Sequence, residues 1–296
     1  MDTSGNSFQK KNLAIKMFDF LISPFQYGFM LNALIIAILI SIPASILSCF
    51  LVLKGWSLIG DAISHAVLPG IVIAYILNMP LIIGAFFAGL FCSLATGFLK
   101  NNSRVKEDTV MGVVFSGMFA FGIVMYTKIE TNVHLDHILF GNLLGINNVD
   151  LIFSTVITVS ILTILLLKWK DLLVFCFDIT HARSLGLNIT ILHYGLLIIL
   201  SLIIVSNLKA VGIILSIALL IIPGATGFLI SKDFKRMLLI ATLSTVTAAL
   251  LGVYTSYYVD SSPAPTIVLF MTMNFLLAFF LFSTKKTINV NYKTKN

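Results

Sequence analysis

In the stretch GWSLIGDAISHAVLPG, Gly55 to Gly70, an aspartate and a histidine stand four residues apart between two long apolar runs. On a helix Asp61 and His65 share one face, and Ser57 joins them one turn earlier if the helix begins that soon. A carboxylate beside an imidazole can hold a divalent transition metal, since carboxylate suits Mn²⁺ and imidazole suits Fe²⁺, Zn²⁺ and their neighbours. Two ligands make a weak site, which is what a conduction path needs, because the ion must leave as well as arrive. The same pair also fits a structural role. Asp61 would then cap the helix running to Ile76 by accepting hydrogen bonds from its first amides, and His65 would bond to a neighbouring helix; the two roles are compatible. Gly60 and Gly70 leave room for another helix or another subunit to come close.

Other stretches place polar groups in apolar surroundings. In NVHLDHILFGNLLG, His134, Asp136 and His137 precede a short helix ended by Gly145, either an ion-catching entrance or a solvated loop. His193, in ILHYGLL, reads as a core or interface histidine. In FDITHARSLGLN, Phe177 to Asn188, residues Ala182, Leu185 and Leu187 give a short helix an apolar side. Asp178 or Thr180 fits its start and Gly186 its end. Its charged neighbours put it at the membrane surface, free to dock against a soluble partner or to serve as a plain amphipathic connector. Pro223-Gly224 falls inside a strong apolar run, so the helix there is expected to kink and free carbonyls that other helices or a lumen must satisfy. Such broken helices lie near transporter pathways, and a static packing kink fits equally well.

The elements that carry these residues follow from composition. Of the 296 residues 58% are hydrophobic and only 10% charged, with mean hydropathy +1.04, far from the usual quarter charged, so the chain is expected to be a polytopic membrane protein. Apolar runs of the length needed for a span lie at 29–53, 61–79, 81–99, 110–127, 150–167, 188–206, 210–230, 237–258 and 265–284. They make one all-α bundle of about eight or nine transmembrane helices. The transmembrane domain at 29–284 follows a partly interfacial segment, 1–28, and precedes a basic cytoplasmic tail, 285–296. Turn chemistry separates the runs at Asn78-Met79-Pro80, Ser206-Asn207 and 260–265. The +7 charge sits mostly in short loops and tails, which fits the positive-inside rule and argues against nucleic acid as a partner. By that rule 100–106, 168–183, 232–236 and the tail face the cytoplasm. Counting back puts the start of the chain outside, against Lys10, Lys11 and Lys16, unless 17–30 is an interfacial helix or 61–79 or 134–148 is re-entrant. Cys49, Cys92 and Cys176 form no CxxC pair and read as buried hydrophobes. No cleavable signal peptide and no GxxxxGK[ST] phosphate loop is evident, so ATP hydrolysis would have to come from another chain.

Five ordered blocks, GWSLIGDAISHAVLPG, VKEDTVMGVVFSGMFAFGIVMY, HLDHILFGNLLG, FDITHARSLGLN and VGIILSIALLIIPGAT, resemble the permease subunits of ABC importers for manganese, zinc and iron(II), the ABC-3 family. The wording RVKEDTVMG and VHLDHILFGN is most similar to the chelated-iron and iron/manganese branch. The resemblance implies a multi-pass protein of the cell membrane that pairs as a homodimer. It also implies two copies of a separate cytoplasmic ABC ATPase and an extracytoplasmic metal-binding protein. No cofactor is bound permanently, and a divalent metal ion is the substrate. Asp61 and His65 match the family's metal-contacting positions, and His137 matches a histidine before ILFGN, whereas His134 and Asp136 stand where relatives often differ. Asp178, His181, Ala182, Arg183, Leu185 and Gly186 fall in the segment that docks into the ATPase. Nine spans fit the vitamin-B12-importer (type II) architecture without its first helix; relatives with eight are also described.

The expected activity is alternating-access import of Mn²⁺, Fe²⁺ or Zn²⁺, between which these donor types do not choose. Only neutral imidazole ligates, so uptake should fall as the medium is acidified through about 6.5, histidine's ordinary pKa. Acid-stable uptake, with the binding protein not limiting, would count against this. Two rivals remain: an ion-coupled carrier, which needs no docking segment, and an ABC permease for a siderophore or cobalamin, whose transport would survive loss of Asp61 and His65.

Overall fold

The computed structural model describes residues 23–128, 141, 143–146 and 148–293. After a 3₁₀ turn at Ser23–Gln26 come α1 (Gly28–Lys54), α2 (Ile59–Ala66), α3 (Leu68–Ile76), α4 (Leu81–Asn101) and α5 (Glu107–Tyr126). A second 3₁₀ turn, Leu143–Gly145, precedes α6 (Asn148–Phe177), α7 (Ile179–Ser184), α8 (Ile189–Ile230), α9 (Phe234–Val259) and α10 (Pro263–Lys293). Among the described residues there is no strand, and nine helical stretches are long and apolar enough to cross a membrane. α2 and α3 together make one of them, and α8 makes two, Ile189–Leu208 and Ala210–Ile230.

α8 folds back on itself. Its one non-helical residue is Gly212, at φ 74° and ψ −178°, a left-handed φ that glycine alone adopts at no steric cost. A straight helix from His193 to Gly224 would be about 46 Å long. Yet the His193 ring lies 5.1 Å from that of Trp56, and the Gly224 amide donates to Ser48 Oγ at 2.9 Å, both near the C-terminal end of α1. Only a reversal at Gly212 satisfies both contacts. Gly141 sits on this reversal so closely that a Cβ there would strike the backbone of Val211 and Gly212. Turn chemistry at Ser206-Asn207 points to a break earlier in the chain, but both are helical and buried. At Pro223-Gly224, where a kink is expected, the backbone stays helical, and the Gly224 amide donates to the Ser48 hydroxyl of α1.

With its two halves antiparallel, α8 forms the hub of the bundle, packed against α1, α2, α4, α6, α9 and α10. Glycines permit the closest crossings. Gly60 lies under Leu220 of α8, and Gly70 of α3 meets Gly84 of α4 so tightly that a Cβ on either would enter the other's backbone. Both glycines thus serve contacts inside the chain. Valine at Gly70 should cost more than the about 1–3 kcal/mol typical of overpacking, because backbone cannot step aside. The readout is the melting temperature of the purified protein, and an unchanged value would contradict this crossing. Cys49, Cys92 and Cys176 are all buried, as expected of small apolar residues. Two boundaries differ from the hydropathy reading. α6 continues through Lys168–Asp171, whose side chains pair at 3.2 Å, to Phe177, and α10 carries the helix into the basic tail as far as Lys293.

Candidate functional site

α1 ends in a Schellman turn: Gly55 adopts φ 76°, and the Trp56 amide returns to the Leu51 carbonyl at 2.8 Å. The link from Gly55 to Leu58 leads to α2, so Ser57 precedes the helix and does not join the face of Asp61 and His65. Leu58 occupies the N-cap without a side-chain bond. Asp61 therefore does not cap the helix. Instead its Oδ1 lies 3.2 Å from His65 Nδ1, which also lies 3.0 Å from the Asp61 carbonyl. The helix breaks after Ala66 because Pro69 has no N–H to return to the His65 carbonyl.

Within a segment whose neighbours are almost all buried, the side chains of Asp61 and His65 are 37% and 31% exposed. The pair thus opens outward from the chain's own bundle. The His65 ring meets Phe119 edge-on at 5.5 Å and Phe115 at 6.1 Å, both on α5. α5 and α10 are the least buried spans, and Gly112 and Gly117 of α5 face open space. Because Nδ1 is engaged with Asp61, Nε2 is the nitrogen left for a metal, the arrangement by which a carboxylate orients a ligating histidine. One chain offers Nε2 and a carboxylate oxygen. Among the described residues no cluster of three or more potential ligands exists.

His134, Asp136 and His137 lie outside the described residues. His193 is a packing histidine, set between Trp56, Phe175 and Tyr194.

The segment expected to dock is a capped helix, α7. Asp178 caps α7, its Oδ1 accepting from the amides of Thr180 at 2.8 Å and His181 at 3.3 Å. Those bonds, that of His181 first, hold its carboxyl below the usual carboxylate range. The cap therefore acts at full strength above the ordinary value near 3.9 and is lost as pH falls through the lowered one. At the far end Gly186 takes φ 76°, with its amide on the Arg183 carbonyl and that of Leu187 on Ala182. Phe177, Ile179 and Leu185 are exposed, at 81%, 43% and 58%, as are His181 and Arg183. Ala182 belongs to the opposite face: wholly buried, it fastens α7 to the bundle and does not reach a partner. Asp178→Ala should weaken binding of a docked partner about fivefold by fraying α7, and Asp178→Asn should not. Equilibrium binding to the purified partner checks this, and equal affinities would sink it.

A model of the ABC 3 transport family matches residues 26–282. The chain is 56% identical over 262 residues to a probable iron transport system membrane protein of Haemophilus influenzae, covering 88% of this chain and 97% of that one. It is 46% identical to the manganese transport system membrane protein MntB of Synechocystis, covering 90% and 87%. Among solved structures, PsaBC from Streptococcus pneumoniae in complex with Fab matches with TM-score 0.80 and 36% identity, over 88% of this chain and 95% of that chain.

Proposed function

Since the chain belongs to the ABC 3 transport family, we propose that it is the membrane permease of an ATP-driven importer for divalent transition-metal ions. The names of its iron- and manganese-transporting relatives support this reading. The observation that carries it is the Asp61–His65 pair, turned out of an otherwise buried segment with Nε2 free of any partner among the described residues. In a symmetric homodimer the pairs of two copies would supply two imidazoles and two carboxylates to one ion, a shell suited to Mn²⁺, Fe²⁺ or Zn²⁺. A second copy would meet this chain beside α5, whose Phe115 and Phe119 flank His65. An extracytoplasmic binding protein would deliver the ion, and His137 would stand on its route. Asp178, His181, Arg183, Leu185 and Gly186 present the surface for each of two ATPase subunits, with Ala182 as its anchor. Closure of the ATPase pair pushes on α7, and the cavity holding the ion opens to one side and then the other.

Uptake of radiolabelled manganese, iron(II) and zinc by cells expressing the whole transport system tests the proposal. Accumulation of at least one ion that stops when ATP is depleted, with the membrane potential maintained, is expected. Uptake by this chain alone, driven by an ion gradient, would identify a secondary carrier instead.

A further inference from the structure

α7 grips the bundle weakly by itself, since Ala182 is its one buried residue. A push on it must therefore pass through its flanks. Phe175, in the last turn of α6, lies just before the Asp178 cap, and His193, in the second turn of α8, lies just after the exit from α7. Both rings converge on the link between α1 and α2. His193 meets Trp56 edge-on at 5.1 Å and Phe175 at 6.5 Å, and Trp56 and Phe175 are buried, 5% and 1% exposed. Lys54 closes the cluster: its Nζ donates to the Phe175 carbonyl at 3.2 Å and stands 4.0 Å from the Phe175 ring and 5.8 Å from that of Trp56.

Trp56 is the rigid member. Its amide is bonded back to α1, its carbonyl accepts the amide of Ile59, which opens α2, and Asp61 follows within that first turn. On its other side lies a cavity of about 10 Å³ bordered by Trp56, Ile59, Ala62, Ile63 and His193. Thr96, also at that cavity, is buried with its side chain beside that of Cys92. The start of α2 thus has firm contacts toward α6 and α8 and a small void toward α4.

We propose that Lys54, Trp56, Phe175 and His193 form the joint that carries displacement of the docking helix to the metal pair, with Lys54 and His193 as positioning residues that never touch the ion. This rests on the importer reading above, and it predicts uncoupling. In a reconstituted complex, Lys54→Met and His193→Leu leave ATP hydrolysis within about twofold of wild type and lower metal transported per ATP by about tenfold, while Lys54→Arg restores most of it. Transport per ATP unchanged in both variants would overturn the joint, as would transport and hydrolysis lost in parallel in a folded, assembled complex.

A second readout does not depend on the substrate. Spin labels on Leu58, at the start of α2, and Leu243, on α9, sit on exposed residues, and the three native cysteines are buried. ATP is expected to shift the distance between the labels in the otherwise wild-type complex and to leave it fixed when Lys54→Met is combined with His193→Leu. A shift of equal size in both, or none in either, contradicts the joint. A wild-type complex that shows the shift but transports no metal would instead refute the importer reading and leave the joint standing.

Discussion

Asp61→Ala and His65→Ala are each expected to lower metal uptake at least about a hundredfold, since removing groups that merely orient a ligand already costs about 10–100-fold. Neither variant should unfold the protein, because both side chains are partly exposed and neither caps a helix. Conservative variants separate the roles. His65→Gln keeps a polar group of similar reach but no imidazole, and should transport as poorly as alanine. Asp61→Asn keeps the shape and loses the charge that attracts a cation and holds Nδ1. Uptake by cells expressing the whole system, normalised to the amount of protein in the membrane, gives the answer. Near-normal uptake by both alanine variants would return the pair to a structural role.

Leu185→Glu should abolish association with the ATPase subunit. Leu185 is 58% exposed on the turn that ends α7, and Phe177 and Ile179 at its start are 81% and 43% exposed, apolar surface left open among the described residues. A charge left unpaired in a buried contact costs about 3–5 kcal/mol, a hundredfold or more in affinity. The permease should still fold, because α7 is held by the Asp178 cap, the turn at Gly186 and buried Ala182. Purification through a tag on the permease reads the ATPase content directly. Stoichiometric ATPase with the Leu185→Glu variant would place the docking surface elsewhere.

The spans were legible in the sequence because a stretch of some twenty apolar residues leaves the chain few alternatives. The docking helix was legible too, since Asp178 and Gly186 bound it with ordinary capping chemistry. What escaped depends on contacts between distant residues. Ser206-Asn207 looked like the turn of α8, yet the chain reverses at Gly212, where left-handed backbone and the close approach of Gly141 require glycine. Gly141 itself, in the phrase FGN, was the signal available. The sequence sets Ala182, Leu185 and Leu187 on one apolar side of α7, whereas the fold buries Ala182 and leaves Leu185 exposed. The hydropathy limit at Leu167 stopped α6 too soon, because Lys168 and Asp171 answer each other on the helix surface. Nothing in the sequence gathers Lys54, Trp56, Phe175 and His193, which come from three separate segments. Asp61 and His65 were found because ionisable groups are costly in apolar surroundings and their spacing puts them on one face. Their mutual contact and outward opening required the structure.

The most direct test is X-ray absorption at the manganese edge of the purified, dimeric complex loaded with Mn²⁺. The account predicts a shell of oxygen and nitrogen with the outer scattering of imidazole, one ion for two permease chains, and loss of both signal and bound metal in His65→Gln. An identical spectrum with full occupancy in that variant would show that the ion binds elsewhere.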